Sequence, residues 1–156
     1  MTEPTYVPSL EALNTLTATN KYLILDFTAQ WCPPCKAIAP LFTKLATQHT
    51  IADKLAFAKV DVDEAQDIAK QFGITAMPTF LFLVDGSPMG NAEVRASVAP
   101  AGVKVDEGEQ VQIRGANPRS LVGAVEAVAA LAKAEAEAEA VAADRACVGG
   151  DADHVV

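Results

Sequence analysis

Apolar positions along the chain follow two rhythms. Short, nearly unbroken runs at Tyr22–Phe27, Leu55–Asp61 and Thr79–Val84 predict strands buried on both faces. Between and around them the spacing changes to that of helices. Ile38, Leu41, Phe42 and Leu45 fall at i, i+3, i+4 and i+7, which predicts a helix running to about His49. Ser9 can cap a first helix that carries Leu10, Leu13 and Leu16 on one side. Glu64 to Phe72 predicts a short helix ended by Gly73, and Thr5–Val7 a short edge strand. Asn117 caps a last helix, with Pro118 at its first position and Leu121, Val125, Val128 and Leu131 facing the core.

Two regions interrupt this regularity. Asp85-Gly86 after the third apolar run is a hairpin signal, yet Val111–Arg114, the strand expected to return, lies far downstream. Residues 87–110 therefore form an inserted loop. It holds Pro88, Gly90, Pro100 and Gly102, and it suits either an extra hairpin or, as we expect, a mobile flap. From Ala132 the chain turns to Lys-Ala-Glu-Ala-Glu-Ala-Glu, rich in helix formers but without larger apolar residues. Residues 1–132 are thus expected to form one domain carrying the 87–110 insert. Residues 133–156 then form an acidic Ala/Glu helical extension into solvent, with a disordered tail from Cys147.

Composition narrows the partners. The 156 residues carry a formal net charge of −8, half of it in residues 117–156, so the acidity speaks for solubility rather than for a ligand. No basic stripe exists, which argues against nucleic acid. No apolar stretch reaches membrane-spanning length, and the polar, early-acidic N-terminus resembles neither a secretory nor a transit signal, so cytoplasm is expected. Three cysteines do not make a disulfide framework; they suit a reducing compartment and a reactive pair.

That pair lies in Trp31-Cys32-Pro33-Pro34-Cys35-Lys36, where a strand ends and a helix begins. Cys32 stands just ahead of the helix, where unpaired N–H groups and the positive dipole end favour a thiolate. Pro33 and Pro34 suit the first helical turn, which needs no N–H from them. Cys35 stays covered one turn further in. The arrangement suits thiol–disulfide exchange; half of a zinc site is the competing reading. Zinc needs about four ligands, and the remaining thiol and imidazoles are Cys147, His49 and His154, in distant or poorly ordered places, so no metal is expected.

The Trp-Cys-x-x-Cys-Lys motif after a strand holding Asp26-Phe27 resembles the thioredoxin family. The likeness continues through Ala58–Asp63, Phe72–Phe80, Asp85-Gly86 and Arg114-Gly115-Ala116, covering roughly residues 5–86 and 110–132. It implies an α/β fold, a central mixed β-sheet flanked by helices on both faces. It also implies a protein-disulfide reductase and electron carrier, with no bound cofactor beyond a redox-active Cys32–Cys35 disulfide. In that likeness Cys32 is the nucleophile and Cys35 the resolving thiol. Asp26, a carboxyl in an apolar strand whose pKa burial should raise, is the proton acceptor and donor for Cys35, and Lys59 tunes it. The alternatives are a strand-end aspartate and a solvent-facing lysine. Met77–Pro78 is expected cis, against the cysteines, leaving the Met77 backbone free for an extended substrate. Trp31, Pro33, Pro34, Thr75, Ala76, Met77, Pro78, Gly115 and Ala116 form the expected docking rim. The implied partners are an NADPH-dependent thioredoxin reductase, since the one-domain core has no room for a dinucleotide fold, and disulfide-containing client proteins. One departure is Pro33, where the commoner family motif has glycine; Cys-Pro-Pro-Cys also occurs in the family, and the middle residues favour a reductant over an oxidant. A second reading is a redox-sensitive binding or chaperone-like protein that uses the same surface, supported by the insert and the acidic extension.

Overall fold

The structure is a computed structural model that describes residues 3–88 and 112–155. Six strands form one mixed sheet: β1 (Thr5–Tyr6), β2 (Tyr22–Thr28), β3 (Leu55–Asp61), β4 (Thr79–Val84), β5 (Ser87–Pro88) and β6 (Gln112–Arg114). The order is β1-β3-β2-β4, with β5 and β6 both on the outer edge of β4. β1, β3 and β2 run parallel, and β4 is antiparallel to β2. The described residues also hold four helices, α1 (Leu10–Thr19), α2 (Pro33–His49), α3 (Gln66–Gln71) and α4 (Pro118–Val155).

The unbroken apolar strands are explained by burial on both faces. Leu23, Leu25 and Phe27 of β2 point to a core shared with Leu13 of α1 and Ile68 of α3. Tyr22 and Ile24 point the other way, to Ile38, Phe42 and Leu45 of α2 and to Leu121, Val125 and Val128 of α4. Phe42 is wholly buried, its ring centroid 5.7 Å from that of Phe57 and 5.6 Å from that of Phe80. Burying such a ring contributes roughly 2–3 kcal/mol. The strict alternation has one chemical consequence: Asp26 belongs to the row of Tyr22 and Ile24, so its carboxyl is aimed into the side of the sheet that α2 covers.

The caps follow their residues. Ser9 accepts a hydrogen bond from the Ala12 N–H, and Asn117 Oδ1 accepts one from the Ser120 N–H. Gly73, at φ +65°, closes α3 while its N–H donates to the Lys70 carbonyl.

Three elements depart from the sequence reading. α3 starts at Gln66 rather than Glu64, because Asp61 Oδ1 accepts from the N–H groups of Asp63 and Glu64 and winds them into a turn. Asp85 and Gly86, both at positive φ, make the predicted hairpin turn, but Ser87 and Pro88 already pair with Val84 and Leu83. They belong to the sheet and not to the insert. In that register Leu81 would meet residue 90; it pairs instead with Gln112, 22 residues on, so the insertion interrupts the returning strand itself. The rest of the predicted insert, with its choice between hairpin and flap, lies outside the described residues.

The third difference is the C-terminal extension. α4 continues to Val155, through the region from Cys147 that the sequence reading has as a tail. The alanine- and glutamate-rich run has the propensity to sustain it as far as Ala143, whereas Gly149-Gly150 beyond are poor helix formers. Nor does the extension simply project into solvent. Glu135 and Glu139, one turn apart, meet Lys21 and Lys54 at 2.5 Å, and these lysines immediately precede β2 and β3. Lys21 also lies 5.7 Å from the centroid of the Tyr22 ring. The extension is thereby fastened across the amino ends of two neighbouring parallel strands. The side chains of residues 144–155, Cys147 and His154 among them, lie outside the described residues.

Candidate active site

The cysteine pair sits at the opposite, carboxyl end of β2. Cys32 is the N-cap of α2, Pro33 and Pro34 occupy its first two positions, and Cys35 lies in its first turn. The two cysteines are joined by a disulfide. Both are buried, packed with Ala29, Val62 and Met77. The Cys35 N–H donates to Cys32 Sγ at 3.2 Å, one of the helix-terminal donors that would also stabilise a thiolate there. The two prolines are exposed and lack N–H groups, so they compete with nothing at this position.

Met77–Pro78 is cis, as expected, and Pro78 is buried. The Met77 carbonyl lies 3.7 Å from Cys32 Sγ, which brings the loop before β4 over the disulfide. Thr79 Oγ1 donates to the Ala76 carbonyl at 2.7 Å and fixes the turn. The Gly115 N–H donates to the Pro78 carbonyl at 2.8 Å, with Gly115 at φ +97°, a conformation that favours glycine. Thr75, Ala76 and Ala116 are exposed around this point, and Met77 is half-buried. Trp31 is 64% exposed, against 3% for its neighbour Cys32. The residues expected to form a docking rim therefore lie on three chain segments around the cysteines.

Asp26 and Lys59 are cross-strand partners in the β2–β3 register and point to the same face. Asp26 is 1% exposed, and its Oδ1 has no hydrogen-bond partner among the described residues. Burial pushes its pKa up to about 7, with the Lys59 charge opposing the rise. A carboxyl poised there can take or give a proton near neutral pH. A cleft of about 390 Å³ opens beside Cys35, with Lys59, Lys36 and Asp61 in its walls.

One contact escapes sequence reasoning. The Trp31 indole N–H donates to Asp63 Oδ2 at 2.8 Å, across 32 residues. Asp63 stands in the run Asp61-Val62-Asp63, but nothing in a short acidic turn marks which carboxylate will meet the indole. Among the described residues no group of three or more His, Cys, Asp or Glu side chains could hold a metal ion. Among them, too, no helix is long and apolar enough to cross a membrane.

Comparison with known proteins agrees with this geometry. The family model described as Thioredoxin matches residues 9–100. The chain is 44% identical to a thioredoxin-like protein of Fusarium culmorum, over 82% of this chain and 93% of that one. It is 38% identical to a thioredoxin of Neurospora crassa, over 82% of this chain and 88% of that one. Among solved structures it is similar to the oxidised thioredoxin of Plasmodium falciparum, with a TM-score of 0.60 and 32% identity over 81% of this chain and 98% of that one. It is similar also to oxidised mitochondrial thioredoxin 3 of Saccharomyces cerevisiae, with a TM-score of 0.59 and 34% identity over 79% and 93% of the two chains. With its paired cysteines at the start of α2 and its mixed, doubly covered sheet, the chain belongs to the thioredoxin family and is a protein thiol–disulfide oxidoreductase acting on disulfide-containing client proteins.

Proposed function

We propose that the protein is a cytoplasmic disulfide reductase and electron carrier, recharged by an NADPH-dependent thioredoxin reductase. The observation that carries this reading is the Cys32–Cys35 disulfide at the amino end of α2, beneath an exposed rim. In the reduced protein the Cys32 thiolate attacks one sulfur of a client disulfide. A mixed disulfide forms and the other client sulfur leaves as a thiolate, which takes up a proton. Cys35 then gives its proton to the Asp26 carboxylate, and its thiolate attacks Cys32 Sγ. The client leaves fully reduced and the Cys32–Cys35 disulfide remains. Two electrons from NADPH, delivered by the reductase, return the pair to dithiols. The cleft beside Cys35 gives solvent access to Cys35 and to Lys59, the cross-strand partner of Asp26. Lys59, paired with Asp26 across the strands, moderates how far burial raises that pKa.

Trp31, Pro33, Pro34, Thr75, Ala76, Met77, Pro78, Gly115 and Ala116 form the client-docking rim in this reading. Its exposed side chains and the close approach of the Met77 carbonyl to Cys32 suit an extended segment flanking the target disulfide. The cytoplasmic placement is supported by the scarcity of cysteines outside the reactive pair.

The test is disulfide reduction of insulin coupled to NADPH consumption through a thioredoxin reductase, for the parent protein and Cys32→Ser. Turnover in the parent that vanishes in the variant is the expected result. A folded, reducible parent that draws no NADPH through the reductase would exclude that partner.

A further inference from the structure

We propose that Asp61 is a positioning residue for disulfide exchange, acting through Asp63 on Trp31, the residue beside the nucleophile. This inference rests on the thiol–disulfide exchange reading of Cys32.

A chain of hydrogen bonds leads from Asp61 to Trp31. Asp61 is the last residue of β3 and is held in register with Thr28 at the end of β2. The Val62 N–H donates to the Thr28 carbonyl at 2.9 Å, and the Ala65 N–H donates to the Asp61 carbonyl at 2.8 Å, so the backbone on both sides is anchored. The Asp61 side chain is 7% exposed, folded under the turn that follows. Its Oδ1 accepts from the Asp63 N–H at 2.9 Å and from the Glu64 N–H at 3.4 Å. A charged acceptor for these two donors gives the turn one shape and directs the Asp63 side chain back toward Trp31. Asp63 Oδ2 then receives the indole N–H at 2.8 Å.

The far end of this relay is the exposed part. A ring that is 64% exposed has little packing to choose its rotamer, so the bond to Asp63 supplies the choice. Trp31 is the chain neighbour of Cys32, so its exposed indole is part of the surface a client meets beside the nucleophile. An indole held in one rotamer offers a preorganised apolar surface; a freely turning one must be ordered by each client at an entropic cost. Asp61 also lines both the cleft beside Cys35 and the one beneath Trp31, so a single buried carboxylate sets the shape of the wall between them. Its effect should therefore fall on client binding and leave the bond exchange itself nearly untouched.

The chain has one tryptophan, so its fluorescence reports Trp31 alone. Asp61→Ala and Asp63→Ala should each lower the fluorescence anisotropy of Trp31 and raise KM for a client disulfide on the order of three- to tenfold, with kcat within about twofold of the parent. The double variant should be no worse than either single one, because both break the same relay. Asp61→Asn keeps an Oδ1 acceptor and should restore both readouts. Parent-like anisotropy and KM in folded Asp61→Ala would overturn the proposal, as would effects of the two substitutions that multiply. Should Asp61→Ala fail to fold by circular dichroism, Asp63→Ala carries the test, and a parent-like indole there overturns it equally. Anisotropy needs no turnover, so a parent without activity would refute the exchange reading while leaving this relay measurable on its own.

Discussion

The two ends of the sheet treat charge in opposite ways. At the carboxyl end of β2, Asp26 is buried with one oxygen lacking a hydrogen-bond partner among the described residues, and it is held near pKa 7. At the amino ends of β2 and β3, Lys21 and Lys54 are met by Glu135 and Glu139 from the α4 extension. There burial pushes Glu135 up, but hydrogen bonds from Lys21 and Tyr22 and the charges of Lys21 and Lys54 together pull it below its ordinary range. An uncompensated buried acid costs folding energy, and it lies at the end where the proposed mechanism moves protons. An ion-paired acid, even one whose second oxygen, Glu135 Oε2, likewise lacks a hydrogen-bond partner among the described residues, has its charge compensated, contributes a little stability and lies at the far end from the cysteines.

The comparison is sharpest at Asp26. Its folded pKa lies above the unfolded value of 3.8, so the folded state binds the extra proton. Stability should therefore be fully present below about pH 4 and fall as pH rises toward and past 7, by on the order of 4 kcal/mol in total. Asp26→Asn should remove that fall. Urea unfolding is expected to find the variant several kcal/mol more stable than the parent at pH 8, and nearly equal to it at pH 4. Its resolution of mixed disulfides should be slowed above pH 7 and lose the inflection near 7. Equal stability gains at both pH values would show that packing, and not ionisation, governs this site.

Removing the other end should do the reverse. A chain ending at Lys133 loses both glutamates of the strap, while one ending at Ala143 keeps them. The shorter chain should be less stable by about 1–2 kcal/mol, with part of the difference vanishing in high salt, and its reductase activity should be unchanged. Identical unfolding midpoints for the two truncations would mean the strap contributes nothing.

The smallest effect is expected at the insertion. Because the returning strand carries 22 extra residues between Pro88 and Gln112, removing 90–111 should restore a continuous register against β4. Client reduction should stay within about twofold of the parent, with the fold intact by circular dichroism. A large loss of turnover in a folded deletion would make the insert part of the client site.

What could be read from the sequence follows the range of the forces involved. The buried strands and the helix starting after Cys32 are local or periodic, so they were legible from residue spacing alone, whereas spacing left Asp26 open to being a strand-end aspartate. The cross-strand neighbour Lys59 and the cis bond at Pro78 were legible only through family resemblance. The Asp61–Asp63–Trp31 relay was hidden because its donors and acceptors look like an ordinary solvated turn. The strap was hidden for the same reason: alternating alanine and glutamate reads as an exposed face, and the lysines that meet Glu135 and Glu139 lie 114 and 85 residues away. Likewise, a two-residue strand such as Ser87–Pro88 is too short to carry any periodicity.

In the proposed mechanism Cys32 attacks and Cys35 resolves, and trapping the mixed disulfide separates the two roles. Reduced Cys35→Ser should accumulate a covalent client adduct through Cys32, visible by mass spectrometry and released by dithiothreitol, while Cys32→Ser should accumulate none. An adduct that forms through Cys35 in Cys32→Ser, and not through Cys32 in Cys35→Ser, would contradict the account.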